Sequence, residues 1–256
     1  MRAFGTLPHA NILACFLVFG FMAFCYLYLQ SRNPINRLCS SIGMFFVGLG
    51  LIVSFSRSGW IGAVIGIFLI VFWGLRQEEF RKKAKNLFFI ISAVFLLLFG
   101  IMSWAIFPRA QFSANEGPVR DRIIYNQIAW KIIQTQPLGV GIGNEVMFAT
   151  ASGLYQMFGL NNYRLWQPTH NLFLLIGAET GITGLVLFLA FLFGIFKRIN
   201  WKDISGATAG IILICFLVLG LFDHYFWDLE SGRLMFWLVL GIIMGLGPRG
   251  EMPACR

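Results

Sequence analysis

The chain has 256 residues, of which 58% are hydrophobic and only 12% are charged, and its mean hydropathy is +0.75. Soluble domains contain about 45–50% apolar and about 25% charged residues, so this composition excludes an ordinary soluble protein. A formal net charge of +9 would indicate nucleic-acid binding in a soluble chain. In a membrane protein, the distribution of the positive charges indicates which loops are cytoplasmic. We therefore predict an all-α integral membrane protein that binds no nucleic acid.

Seven apolar runs follow one another along the chain, and each is a predicted transmembrane helix. They occupy about residues 10–29, 38–55, 60–75, 87–107, 171–196, 207–222 and 234–246. Three of the runs are short for a span of about 20 residues, so their ends are only loosely defined. The pattern predicts an N-terminal membrane region (1–107) of about four spans, a long loop (108–169), and a C-terminal membrane region (170–256) of about three spans.

Basic residues cluster in alternate segments between these runs. Four alternate segments hold twelve Lys and Arg against four acidic residues, whereas the other four hold eight basic and seven acidic residues. By the positive-inside rule the first set is cytoplasmic, and this set includes the C-terminus. The long loop and all three histidines are then extracytoplasmic. Seven of the eight basic residues on that side are arginines, which bind phosphate in a bidentate manner, so we expect chemistry on an anionic substrate there.

The long loop contains one predicted amphipathic helix at 121–136. Ile124, Ile128 and Ile132 are spaced four residues apart along it, and Pro137 follows its end. The glycine-rich stretch 138–143 comes next. It lacks the Lys and Ser/Thr of a phosphate-binding P-loop, which favours a tight reversal onto the membrane surface over a phosphate cradle.

The stretch 168–184 opens with the polar pair His170-Asn171 and continues into an apolar segment that contains three glycines. In a continuous helix, positions 170, 174, 177, 181 and 184 lie on one face. This spacing predicts a small-residue stripe for close packing of membrane helices, with His170 where the helix emerges from lipid. Glu179 would point to the opposite side, which predicts an arginine or a neighbouring helix as its partner.

His170-Asn171, nine residues, and Gly181-x-x-Gly184 together resemble the signature of the O-antigen ligase and O-antigen polymerase superfamily of envelope glycan transferases. Three further segments resemble family motifs and occur in the family's order. They are Gly5-Thr-x-x-His9-x-Asn11, the Ser56-Arg57-Ser58-Gly59 turn, and Arg122 placed fifteen residues before Pro137-Leu-Gly-Val-Gly. The resemblance covers nearly the whole chain but only the C-terminal part of a typical member. We therefore expect a partial member that lacks N-terminal helices.

The resemblance implies a GT-C-like fold in the cytoplasmic (inner) membrane, with the active site on the extracytoplasmic side. It also implies transfer of a glycan, as in lipopolysaccharide assembly, from a polyprenyl-diphosphate-linked oligosaccharide donor to an acceptor hydroxyl of a lipid, glycan or protein. The diphosphate leaves as an anion, so Arg57 and Arg122 are expected to stabilise it. His170 is expected to act as the general base. No metal and no cofactor are expected.

Five further residues are expected to bind substrate on the same side of the membrane. They are Arg120, Asn171, His9, His224 and Arg233. The last outer loop, residues 223–233, either lines the same cavity or forms an interfacial belt of aromatic and polar residues, and the sequence favours neither interpretation.

Three other interpretations of the sequence remain open: a different transferase of the same superfamily, a zinc site, and a protein without catalytic activity. The chain could be a polysaccharide polymerase or a protein O-oligosaccharyltransferase of the same superfamily. The three histidines could form a zinc site, although no H-x-x-x-H spacing supports one. A non-catalytic transporter or binder of lipid-linked glycans is the third, although the spans carry few of the mid-membrane polar residues typical of transporters.

Overall fold

A computed structural model describes residues 2–110 and 117–246, and these residues contain helices and no strand. The helices are α1 (Ala10–Gln30), α2 (Pro34–Val53), α3 (Arg57–Arg76), α4 (Arg81–Ala110), α5 (Gly117–Thr135), α6 (Glu145–Ala151), α7 (Leu154–Met157), α8 (Leu172–Arg198), α9 (Ile204–Gly220), α10 (Tyr225–Asp228) and α11 (Glu230–Leu246). A short 3₁₀ turn covers Tyr163–Leu165. The predicted all-α class is confirmed.

Five helices are long and apolar enough to cross a membrane, namely α1, α2, α3, α4 up to Trp104, and α8. The other two apolar runs form α9 and α11, which have 17 residues each. Every predicted run is therefore helical, while the number of seven spans stays a prediction. Helix α4 exposes Phe89 and Leu96, each at 67%, as expected of a surface that faces lipid tails rather than water.

The chain forms two compact units. Unit 1 comprises residues 1–111, 195–219 and 236–256, and in it α1 packs against α2, α3 and α4. Glycines allow this close packing. A β-carbon at Gly59 would lie 2.5 Å from the β-carbon of Ala14, and one at Gly74 would lie 2.8 Å from that of Ala84.

Unit 2 comprises residues 112–194 and 220–235. The amphipathic helix predicted in the long loop is confirmed as α5, although it begins at Gly117, four residues earlier than expected. Its apolar face is buried through Ile128 and Ile132, and it packs into a core that also contains Ala149, Leu154 and Tyr155 of α6 and α7. The long loop therefore packs around a hydrophobic core that Ala178 of α8 completes.

The prediction of one continuous helix through residues 170–184 is wrong. Helix α8 begins at Leu172, and Gly181 has φ 75° and ψ 177°, which breaks the helix into two parts. The glycine-rich stretch pairs with this break: the Val140 and Gly141 amides donate to the carbonyls of Ala178 and Glu179 at 3.0 and 2.9 Å. The small-residue stripe therefore does not form, because Gly181 turns the chain toward another backbone segment rather than toward another membrane helix.

Candidate functional site

His170 lies immediately before α8 and not on its face. The side-chain oxygen of Asn171 accepts hydrogen bonds from the Phe173 and Leu174 amides at 3.0 and 3.1 Å, so the helix starts after Asn171. The Nδ1 atom of His170 is 2.9 Å from the carbonyl oxygen of Pro168. Because a carbonyl oxygen only accepts, Nδ1 carries the proton and Nε2 keeps its lone pair.

The surroundings of His170 keep its imidazole neutral. Burial lowers its pKa to about 4, and the charges of His224 and Arg122 contribute to the same direction, whereas Asp223 opposes them. The ring stacks on Tyr125, with centroids 5.5 Å apart at 19°. It also meets the ring of His224 edge to face, at 4.8 Å and 85°. His170 is thus an oriented, uncharged acceptor of protons near neutral pH.

His224 is held by two carboxylates of the segment 223–233. Its Nδ1 is 2.7 Å from Oδ2 of Asp228, and its Nε2 is 3.9 Å from Oδ1 of Asp223. Burial alone would lower its pKa, but the hydrogen bond to Asp228 and the nearby carboxylates outweigh burial, and the net pKa is raised. The two neighbouring imidazoles therefore differ, because His224 favours the cationic form and His170 the neutral form.

Arg122 reaches the same group of residues from α5. Its guanidinium is 4.0 Å from Oδ2 of Asp223, and its side chain is 36% exposed. Asp223 is buried and also accepts the His224 backbone N–H at 2.9 Å. A row of charges therefore runs from Arg122 through Asp223 and His224 to Asp228. Its partly exposed arginine remains accessible to an anionic ligand.

The other residues predicted for the site occupy several places. Arg120 is exposed, 3.7 Å from Asp121, and Arg233 is exposed on the first turn of α11. Asn171 caps α8 and donates its side-chain N–H to the carbonyl of Leu221 at 3.3 Å. Unit 2 thus brings His170, His224 and Arg122 together, while their roles stay predictions.

Arg57 and His9 belong to unit 1. Arg57 is the first residue of α3 and is half-buried. His9 caps α1, and its Nδ1 accepts the Asn11 amide at 3.2 Å. Both positions are at helix starts, where backbone N–H groups point outward and favour anions.

Sequence reasoning missed Tyr125, which stacks on His170, Thr169, which precedes it, and Glu145, which bonds to Thr169. Oε2 of Glu145 accepts the Thr169 amide at 2.9 Å, and Oε1 is 2.5 Å from the Thr169 hydroxyl. No spacing rule connects these positions, because 24 residues separate Glu145 from Thr169. The only signal in the sequence was an acid two residues after the glycine-rich stretch.

The cluster of His170, Asp223 and His224 has the residue types of a metal site. One ligand atom from each lies within 4.8 Å of the others, a spacing that can accommodate Zn²⁺. The zinc site considered from the sequence used three histidines, whereas here Asp223 stands with two. Asp223 already accepts a hydrogen bond from the His224 backbone amide and forms an ion pair with Arg122.

The chain matches the model of the O-antigen ligase family over residues 42–189, more than half of its length. It is 28% identical over 176 residues to a Rickettsia conorii protein named "Putative polysaccharide ligase RC0486", and this match covers 62% of the chain and 40% of that protein. It is also 34% identical over 98 residues to "ADP,ATP carrier protein 4" of Rickettsia typhi, over 38% of the chain and 18% of the carrier. No solved structure matches. The chain is an integral membrane protein that belongs to the O-antigen ligase family.

Proposed function

We propose that this protein transfers a glycan from a polyprenyl-diphosphate-linked donor to an acceptor hydroxyl on the extracytoplasmic side of the cytoplasmic membrane. The observation that carries the proposal is the pairing, within unit 2, of a neutral imidazole with a partly exposed arginine. His170 presents Nε2 as a proton acceptor, and Arg122 lies close enough that its charge acts on the pKa of His170.

The reaction needs one proton acceptor and positive charge at the leaving group. The acceptor oxygen bonds to the anomeric carbon while the bond from that carbon to the diphosphate oxygen breaks. The hydroxyl proton passes to Nε2 of His170, and the diphosphate departs with the bonding electrons. Because the hydroxyl becomes acidic as it bonds to the anomeric carbon, a weakly basic imidazole is sufficient.

Arg122 is proposed to bind the diphosphate through its planar pair of N–H donors. Arg57, at the start of α3 in unit 1, is proposed on its sequence motif alone as a further guanidinium for an anionic group. His224, whose pKa is raised by its hydrogen bond to Asp228 against the effect of burial, adds positive charge when it is protonated. Arg120, Arg233, His9 and Asn171 are proposed to contact the glycan or the lipid headgroup. Asn171 has a structural role as well, as the N-cap of α8.

Three versions of this proposal differ in the acceptor. A lipid acceptor would make the enzyme an O-antigen ligase, a glycan acceptor would make it a polymerase, and a protein acceptor would make it an O-oligosaccharyltransferase. The family membership and the Rickettsia conorii relative favour the ligase. The chain spans 40% of the length of that relative, so the relative's name supports the class of reaction and not its substrates. No metal is assigned to the reaction.

The test is transfer in reconstituted membranes, with a polyprenyl-diphosphate oligosaccharide, each acceptor class, and excess chelator. His170→Ala and Arg122→Ala are expected to reduce transfer by about 10²–10⁴-fold, the range for loss of a positioned base or an oxyanion-stabilising donor. Arg122→Lys keeps the charge but not the planar pair of donors, so it should recover only part of the loss. Arg164→Ala is the matched control, because Arg164 is an exposed arginine of the same unit.

The outcomes separate the rival functions. Transfer that survives chelation and disappears in the His170 and Arg122 variants supports the proposal. Loss of transfer on chelation, with recovery on adding Zn²⁺, would identify the His170, Asp223 and His224 cluster as a metal centre. Donor binding that depends on Arg122 without transfer to any acceptor would identify a binder or transporter of lipid-linked glycans.

A further inference from the structure

Glu145 is a buried acid directly beside the histidine segment. Its residue is 2% exposed, and Thr169, the residue before His170, is 1% exposed. The carboxyl group makes two hydrogen bonds to Thr169, one with the backbone amide at 2.9 Å and one with the hydroxyl at 2.5 Å. A buried carboxyl with two bonds to one residue fixes the position and orientation of that residue.

The hydrogen positions follow from the partners. The Thr169 hydroxyl has one proton, and its oxygen is also 2.9 Å from the backbone carbonyl of Tyr125. A carbonyl only accepts, so the Thr169 proton is donated to Tyr125. The proton in the short contact between Thr169 and Glu145 then comes from the carboxyl. This arrangement is that of the neutral acid, and burial raises the pKa of Glu145 to about 7 against the opposing effect of its bonds with Thr169.

The same bonds fix the ring that stacks on His170. Tyr125 is held at its backbone by Thr169 and at its hydroxyl by the carbonyl of Leu165, at 2.5 Å. The stretch between these anchors is held again at Gln167, whose carbonyl accepts the hydroxyl of Tyr155 at 2.8 Å. Glu145 therefore acts on both neighbours that orient His170, the preceding residue and the stacked ring.

We propose that Glu145, as a neutral carboxylic acid, is a positioning residue that sets the orientation and the Nδ1–H tautomer of His170 through Thr169 and Tyr125. The inference rests on the proposed function only in taking His170 as the base. Glu145 itself contacts no reacting atom. The other charged groups that act on Glu145 are Glu179, which disfavours its anion, and His224, which favours it.

The first two measurements need no substrate. Infrared spectra of wild type near neutral pH should contain a protonated-carboxyl band that Glu145→Gln removes and Glu230→Ala, which changes an exposed acid of unit 2, retains. Spectra of ¹⁵N-histidine-labelled protein should assign the proton of His170 to Nδ1 in wild type. Glu145→Gln should keep this signature, because its amide donates to the Thr169 hydroxyl and its carbonyl accepts the Thr169 amide. Glu145→Ala should lose it.

The rate of glycan transfer should rank the Glu145 variants in the same order as the ¹⁵N spectra do. We expect Glu145→Gln to remain within about threefold of wild type and Glu145→Ala to fall by about 10²-fold, the scale for a misplaced reactive group. If Glu145→Ala does not fold, Thr169→Ser and Thr169→Val replace it, because Ser keeps the hydroxyl and Val removes it at similar volume. The Thr169→Val variant should then lose the Nδ1–H signal of His170, and the Thr169→Ser variant should keep it.

Two results would overturn the proposal. One is a His170 signature that is the same in wild type and in Glu145→Ala or Thr169→Val. The other is a loss in Glu145→Gln as large as that in Glu145→Ala, which would make the ionised form the working one. If wild type transfers nothing, the proposed function fails by itself, while the infrared and ¹⁵N spectra still decide the role of Glu145.

Discussion

Gly139 and Gly181 face each other so closely that neither position has room for a side chain. A β-carbon added to Gly139 would lie 2.4 Å from the amide nitrogen of Gly181, and one added to Gly181 would lie 2.4 Å from the carbonyl oxygen of Pro137. Both glycines have positive φ angles, 82° and 75°. This contact joins the glycine-rich stretch to the break in α8, and these two segments carry two of the four sequence motifs.

We expect Gly181→Ala and Gly139→Ala each to destabilise unit 2. The positive φ angle alone costs an alanine about 1–2 kcal/mol. The clash of the new β-carbon with backbone atoms should raise the loss well above that value. Thermal unfolding in detergent or nanodiscs measures the effect. Gly159→Ala is the matched control, since Gly159 has φ 84° and a β-carbon added there would have nothing within 4 Å. Equal losses at Gly159 and Gly181 would show that the contact contributes nothing.

Glu145 and His170 should give stability opposite dependences on pH. The pKa of Glu145 is raised from 4.5 to about 7, so its folded acid form contributes below pH 4.5 and this contribution is lost as pH rises to about 7. The pKa of His170 is lowered from 6.5 to about 4, so its contribution is lost as pH falls from 6.5 to about 4. Each shift corresponds to about 3 kcal/mol, and in wild type the two largely cancel.

Single variants should separate the two contributions. In Glu145→Gln, the unfolding temperature should rise with pH between about 4 and about 6.5, because the contribution of His170 to stability is no longer cancelled by that of Glu145. In His170→Gln, it should fall with pH between about 4.5 and about 7. Unfolding temperatures at a series of pH values measure both slopes. Slopes of the reverse sign would contradict the assigned protonation states.

Asp228 should maintain the positive charge of His224. Burial lowers the pKa of His224, and the hydrogen bond that its Nδ1–H donates to Asp228 is the largest cause that raises it, ahead of the charge of Asp223. Asp228→Asn should therefore lower this pKa, as read from the ¹⁵N signals of His224 during a pH titration. Glu230→Asn, a change in an exposed neighbour, should leave it unchanged, and an equal decrease in that variant would show a general surface effect.

Trp227 should stabilise the buried acid of α8. Its indole N–H donates to Oε2 of Glu179 at 2.7 Å, and Glu179 is 5% exposed. Trp227→Phe removes the donor and leaves a buried acceptor unsatisfied, which should cost about 1–3 kcal/mol. Trp130→Phe changes an exposed tryptophan of the same unit and should cost much less in the same unfolding experiment.

The helices were predictable because each depends on local sequence. Apolar runs of membrane length and the four-residue spacing of Ile124, Ile128 and Ile132 are properties of a single segment. The neighbouring-helix partner predicted for Glu179 is found as Trp227 of α10.

The break in α8 and the surroundings of His170 depend on pairings between distant segments. The glycines at 177, 181 and 184 fit a helical stripe as well as they fit a break, and only the pairing with residues 137–141 decides between them. Glu145 and Tyr125 reach Thr169 across 24 and 44 residues. No spacing rule could have predicted these contacts, whereas the family motifs had already indicated His170 and Arg122, and the predicted topology had indicated His224.

The most direct test of the central claim is the pH dependence of kcat/KM for transfer, measured with chelator present. For wild type we predict a constant value between about pH 6 and about pH 5, where Glu145 is protonated and His170 is neutral, and a decrease through about pH 4, as the free enzyme's His170 gains a proton. His170→Ala should abolish most of the transfer, and Arg164→Ala should reproduce the wild-type profile. A wild-type profile without this decrease, or transfer that survives His170→Ala, would contradict the assignment of His170 as the base.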